Sequence, residues 1–173
     1  MATDTIAYVA VSLDGYIAGD GGTVDFLEAY GSEEYDFHGF MAQVGGLVMG
    51  ATTYEQIIGW GWPYGDLPGL VLTNRDLDVP EGVDIEFTSG DVGEATRSYA
   101  DRTDGRLWIV GGGRVIVDAM NEGVVDVLEI YVMPVALGSG VPLFPSALTA
   151  ALTLSDASAF SNGAAMLRYD VSI

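Results

Sequence analysis

Short unbroken apolar runs alternate along the chain with segments of helical period. Residues 6–11 (Ile-Ala-Tyr-Val-Ala-Val) form such a run, and 46–49, 70–73 and 107–110 are similar; 83–87, where Asp84 and Glu86 alternate with apolar residues, and 127–135, apolar but for Glu129 and interrupted late by Pro134, read as further strands. Runs of this length without polar alternation read as strands covered on both faces. Between them, residues 32–43 predict a helix. Ser32 would cap it, glutamates fill its first turn, and Tyr35, Phe37, Phe40 and Met41 share a face. Thr52-Thr53-Tyr54-Glu55 matches a capping box with Thr52 as N-cap. Further helices are predicted over 91–103, with an acidic start, and over 114–121, stopped by Gly123. Residues 151–169 alternate around Asn162-Gly163, a hairpin signal. The expected fold is a three-layer α/β/α domain over residues 1–173, with a mixed, mostly parallel central sheet and a C-terminal β-hairpin.

Charge narrows the classes of function. The 173 residues carry 25 acidic side chains against six arginines, with no lysine, for a net charge of −19. Neither a nucleic acid nor an anionic membrane is an expected partner, because phosphate neutralisation needs a basic stripe. There is no cysteine and one histidine, so no thiolate is available as nucleophile or metal ligand, and no metal is expected. The acidity itself fits either a GC-rich genome or a cytoplasm at high salt, where screening removes self-repulsion. The first apolar run is too short for a leader or a membrane span, and a cytoplasmic protein is expected. Residues 130–155 contain no charge at all. They fit a doubly covered strand with a buried loop, or the face of a homodimer, and a homodimer is the expectation.

The strongest local chemistry lies at 107–116, where a strand enters Gly111-Gly112-Gly113 and a helix follows. Free backbone N–H groups and a helix N-terminus then meet at one place, which suits a pyrophosphate. The pattern is not that of the dinucleotide fold, since its third glycine would fall at Ile116. Two of the six arginines, Arg75 and Arg114, follow directly on strands that lead into candidate ligand loops.

Several motifs together resemble the dihydrofolate reductase-like superfamily, in particular the reductase domain of bacterial riboflavin biosynthesis. They are Ser12 to Ala18, Val48-Met49-Gly50-Ala51-Thr52-Thr53-Tyr54-Glu55, Trp62-Pro63-Tyr64-Gly65, Val71-Leu72-Thr73-Asn74-Arg75, the Gly111 turn, and Pro134 to Phe144. The resemblance covers nearly the whole chain. It implies a reductase using NADPH, with NADH as the alternative, on a small heterocycle such as a pterin or a ribitylamino-pyrimidine. It places Gly50, Ala51, Thr52 and Thr53, with Val110, Gly111, Gly112, Gly113, Arg114 and Val115, around the cofactor's pyrophosphate. Leu72, Thr73, Asn74 and Arg75 would meet the adenosine ribose and its 2′-phosphate. It also implies a cis peptide at Gly111-Gly112. Ala51 departs from the family, which carries arginine there, and opens a second reading: a non-catalytic nucleotide-binding dimer with a degenerate site.

Hydride transfer still needs a proton donor. Asp14 is the leading candidate, with an Asx turn at Gly15 as the competing role. Asp36 and His38 rank behind it. Phe26, Tyr54 and Trp62, with Asp14, are the candidate substrate contacts, their rings suited to a flat heterocycle.

Overall fold

The computed structural model describes residues 4–31 and 33–172. Its strands are β1 (Thr5–Ser12), β2 (Tyr16–Ala18), β3 (Val44–Gly50), β4 (Gly69–Leu72), β5 (Ile85–Thr88), β6 (Arg106–Gly111), β7 (Val127–Met133), β8 (Val141–Pro142), β9 (Ala151–Ala159) and β10 (Ala165–Ser172). The helices are α1 (Phe37–Met41), α2 (Ala51–Trp60), α3 (Val92–Ala100) and α4 (Gly113–Asn121). Eight strands form one sheet in the order β5-β4-β3-β6-β1-β7-β10-β9, while β2 pairs with β8. From β5 to β7 every pairing is parallel; β10 and β9 close the sheet antiparallel.

Apolar runs form the central strands because helices or turns cover both faces. Ala7, Val11, Val48, Leu107 and Ile109 face Ile116 and Met120 of α4. Ile6, Leu47, Met49, Val71 and Trp108 turn the other way, onto Phe40 of α1 and Tyr54 and Ile57 of α2. Each fully buried Leu or Ile contributes about 1.5–3 kcal/mol of transfer free energy. A third cluster, around Tyr131, Met133, Ala164 and Met166, fills the space under the turns at 25–35.

Three expectations change. Residues 32–43 do not form one helix: tight turns at Asp25–Tyr30 and Glu33–Tyr35 precede the five-residue α1. Asp36 breaks the segment by adopting φ 47° and caps α1, its carboxylate accepting from the Gly39 N–H at 3.1 Å. The expected cap, Ser32, lies outside the described residues. α2 starts at Ala51 with Gly50 as N-cap, so the capping box at Thr52 does not form, and Glu55 binds Arg75 instead. The hairpin turn takes five residues, 160–164, rather than two, and is closed by Phe160 N–H donating to the Ala164 carbonyl at 2.9 Å.

The uncharged segment divides. Its β7 part is largely buried, whereas β9 is an edge strand exposed along most of its length, with Leu154 54% exposed. The doubly covered reading therefore holds for β7 alone.

Candidate cofactor and substrate site

β3 and β6 are neighbours in the sheet, with Met49 opposite Gly111, and each runs straight into a helix. The starts of α2 and α4 consequently lie side by side. A Cβ on Gly50 would stand 3.1 Å from Val115 Cγ2, and one on Gly112 would stand 3.5 Å from Thr53 Oγ1. Neither Gly50 nor Gly112 supplies a capping side chain, so the first-turn N–H groups of both helices remain available to an anion. Gly113 has a separate reason to be glycine. A Cβ there would lie 2.6 Å from the carbonyl oxygens of both Pro142 and Leu143, which pack over the start of α4. The Gly111-Gly112 bond is cis.

β4 ends beside this cleft, with Leu72 paired to Gly50. Thr73 Oγ1 accepts from the Arg75 N–H, and Asn74 is exposed. Both arginines singled out in the sequence are tied to carboxylates. Arg75 forms a two-pronged pair with Glu55 at 3.1 and 2.6 Å, rather than with Asp76 or Asp78. Arg114 pairs with Asp118 at 2.9 Å, one turn on. Backbone N–H groups are thus the free anion donors of the cleft, and its cations are already engaged.

One strand beyond β6, on β1 and β7, a cavity of about 220 Å³ opens between Tyr8, Ala10, Leu27, Tyr35, Phe37 and Tyr131. Alternation along β1 puts Tyr8 and Ala10 on one face, and the parallel register sets Glu129 and Tyr131 opposite them. The rings form a continuous wall. Tyr8 stacks on Phe40 with centroids 4.2 Å apart, and Tyr131 lies 4.9 Å from Tyr8. Behind the wall sits Glu129, the sole buried charged side chain among the described residues. It accepts from Arg168 Nη1 at 2.6 Å and from the Tyr131 hydroxyl at 2.9 Å. Burial pushes the Tyr8 phenol up to about 12 and moves Tyr131 upward as well, so both hold their protons at neutral pH.

Of the candidate substrate contacts, Phe26 packs beside this cavity against the Tyr131 cluster. Tyr54 does not reach it. The residue is fully buried on the inner side of α2, donates to the Asp78 carbonyl at 2.7 Å and packs edge-on against Trp62 and Phe87. Trp62 donates to the Gly65 carbonyl and meets Tyr64 edge-on. Asp36 caps its helix, and His38 is exposed on it. Tyr8, Tyr131, Glu129 and Arg168 were not singled out. One signal was present, since Glu129 is the lone charge within the apolar run 127–135.

Asp14 accepts from Ser12 Oγ at 2.6 Å, from Leu137 N–H at 3.0 Å and from Gly138 N–H at 2.7 Å. Those bonds, the Ser12 hydroxyl first, hold its carboxyl down at about 2. A carboxylate so held has no proton to give near neutrality; its geometry fits a clamp on the loop after β7 rather than an acid. Because the folded value lies below the ordinary 3.8, its stabilisation is present above pH 4 and fades as pH falls towards 2. Asp14→Asn should therefore lower the melting temperature at pH 7 and leave the variant and parent closer together at pH 2.5. Equal melting temperatures at pH 7 would show that the clamp contributes nothing.

The sequence and fold have known relatives. The model of the RibD C-terminal domain matches residues 65–166. The uncharacterised protein YwjB of Bacillus subtilis is 33% identical over 147 residues, covering 83% of this chain and 84% of that protein. A putative riboflavin biosynthesis protein from Shewanella sp. PV-4 superposes with a TM-score of 0.81 at 28% identity, covering 99% of this chain and all of that one. Dihydrofolate reductase of Enterococcus faecalis, solved with NADP(H), shares the fold alone, with a TM-score of 0.66 at 18% identity over 100% and 99% of the two chains. With the parallel sheet, the paired helix starts and these likenesses in agreement, the chain belongs to the RibD C-terminal domain family and has a dihydrofolate reductase-like fold.

Proposed function

We propose that this protein is a nicotinamide-dependent reductase of a small planar heterocycle, using NADPH in preference to NADH. One observation carries the reading: two uncapped helix starts lie side by side, one strand away from an aromatic cavity. Gly50 fits a pyrophosphate site, because a Cβ there would crowd Val115 at 3.1 Å between the two helices. In this reading residues 50–53 and 110–115 hold the pyrophosphate through backbone N–H groups, and residues 72–75 flank the adenosine end. The bound cofactor supplies the hydride. The chain's own part is to orient the substrate ring between Tyr8, Phe37 and Tyr131 and to keep water from it, while Asp14 positions the loop at 136–138.

Engagement of Arg75 by Glu55 and of Arg114 by Asp118 favours a second reading, a nucleotide-binding dimer without turnover. Fluorescence of Trp60, Trp62 and Trp108, titrated with NADPH and NADH at low and molar salt, separates the two. The reductase reading expects saturable quenching with NADPH ahead of NADH, and turnover on a panel of heterocycles. Failure of both cofactors to bind at millimolar concentration would reject it, and binding without turnover would select the second. Either way a homodimer through the uncharged first part of β9, residues 151–155, is proposed, since a copy of net charge −19 is least repelled there. Light scattering should give about twice the 18.2 kDa chain mass, and a monomer would refute it.

A further inference from the structure

Asn162-Gly163, the hairpin signal of the sequence, is not spent on a two-residue turn. Within its own loop Asn162 uses one side-chain atom, Oδ1, which accepts from the Ala164 N–H at 3.0 Å. Its Nδ2 reaches out of the hairpin, donating to the Tyr30 carbonyl at 2.9 Å and to the Tyr35 hydroxyl at 2.6 Å. The amide cannot be turned over, because the Ala164 N–H only donates and the Tyr30 carbonyl only accepts. The Tyr35 hydroxyl donates in turn to the Tyr30 carbonyl at 2.6 Å, which closes a triangle of bonds. Beside it, Ser161 donates through its hydroxyl and its N–H to the Glu34 carboxylate. Phe160 meets the Tyr35 ring edge-on, with centroids 4.8 Å apart. Both tyrosines line the cavity, together with Leu27 and Gly31 from the same stretch of chain. Neither of its turns, Asp25–Tyr30 and Glu33–Tyr35, contains a buried residue, so packing alone holds them weakly. Their polar tie comes from a residue 127 positions beyond Tyr35. The cavity therefore has one wall on the central strands, at Tyr8 and Tyr131, and another tethered to the hairpin tip.

We propose that Asn162 is a positioning residue that sets the size of ring the cavity accepts, by holding the Tyr30 and Tyr35 wall in place against Tyr8 and Tyr131. A ring that fits within about 220 Å³ enters with these bonds intact. A longer one must push the tethered wall outward and break them. The preset wall also spares a fitting ring the cost of ordering the turns on binding. This inference rests on the cavity being the substrate pocket of the proposed reductase, yet its test needs no cofactor.

Quinoline and acridine make a suitable probe pair, alike in chemistry and differing by one fused ring. Their dissociation constants would be measured by NMR titration on the cofactor-free protein. In Asn162→Ala the acridine-to-quinoline preference should rise about five-fold over the parent, the value of one hydrogen bond that the longer ring no longer breaks. A role confined to the hairpin is tested by Tyr35→Phe/Asn162→Asp. This double variant keeps the Oδ1 bond to Ala164, offers the Tyr30 carbonyl no donor, and has no Tyr35 proton to turn towards the new carboxylate. Measured against Tyr35→Phe it should show a similar rise, and it serves alone if Asn162→Ala fails to fold by circular dichroism. Hydrogen exchange reads the tether without a ligand: amides of the two turns should exchange about ten-fold faster in the variants, with β1 and β7 unchanged. An unchanged preference or unchanged exchange in the double variant overturns the inference, as does failure of both probes to bind the parent. A shifted preference in a protein that binds no nicotinamide would reject the reductase and leave the role of Asn162 standing; NADPH binding with no shift would do the reverse.

Discussion

Replacing Arg168 with leucine should lower the thermal midpoint by roughly 10 °C. Glu129 is 8% exposed and Arg168 is its only cationic partner among the described residues. Removal of one member of a buried pair leaves an uncompensated charge, which costs about 3–5 kcal/mol. At roughly 2–4 °C per kcal/mol for a chain of this size, the midpoint shift follows. Several kcal/mol also exceeds what a lost surface pair could produce, since exposed ion pairs contribute about 0–1 kcal/mol. Arg102 and Glu86, both about half exposed, supply an internal control: Arg102→Leu should shift the midpoint by only a degree or two. The double variant Arg168→Leu/Glu129→Leu should recover most of the loss, because two apolar side chains need no pairing. Differential scanning calorimetry on the four proteins checks this, and a single-variant shift no larger than that of Arg102→Leu would show that water already reaches Glu129.

Much of the architecture was legible because the central strands are covered on both faces. Residues 107–110 and 127–135 read as strands, the second ending two residues earlier in the structure, at Met133, and the glycines at 111–113 marked a turn into a helix that the structure contains. Local signals misled wherever a tertiary partner outbid them. Glu55 would close a capping box on Thr52, but Arg75 reaches it from the end of β4 and binds it with two prongs. Tyr35 reads as one face of a helix at 32–43, yet its hydroxyl is held by the Tyr30 carbonyl and by Asn162 from the distant hairpin. The same limit hid the cavity. Tyr8 looks like one more apolar residue in its run until the β1–β7 register sets it opposite Glu129, 121 residues away. Register between non-adjacent strands depends on the whole sheet, and no local spacing encodes it. Asp14 was legible as a turn residue at the end of β1, whereas its hold on Leu137 and Gly138 was not.

On the proposed function, net charge alone is a poor guide to ligand charge. An anionic dinucleotide approaching a −19 chain is repelled at long range, and salt screens that repulsion within about 10 Å at 0.1 M. On the proposed function, what would offset it at contact is local: N–H groups at two helix starts, each equivalent to a partial positive charge. Arg75 and Arg114 are already paired to Glu55 and Asp118.

Restoring a cation at the helix start should therefore change affinity more than any other single replacement in the cleft. On the proposed geometry, Ala51→Arg adds a charge-assisted bond to the pyrophosphate, worth about 1.5–3 kcal/mol, or ten- to a hundred-fold in dissociation constant. The lower end is expected, because Glu55 lies one turn along α2 and competes for the new guanidinium. Glu55→Gln removes that competitor and also releases Arg75, so Ala51→Arg/Glu55→Gln should bind NADPH more tightly than either single variant. The two cofactors separate the contributions. A cation at 51 acts on the pyrophosphate that NADH and NADPH share, and both should tighten alike. Arg75, placed at the adenosine end, should improve NADPH alone when Glu55 lets it go. A positive charge in the first turn opposes the helix dipole, so Ala51→Arg should lower the melting temperature slightly while it strengthens binding. That opposition of signs excludes a general stabilisation of the fold as the cause. Tryptophan fluorescence titration with both cofactors at fixed ionic strength measures the set; unchanged NADPH affinity in Ala51→Arg would mean that the α2 start does not face the phosphates.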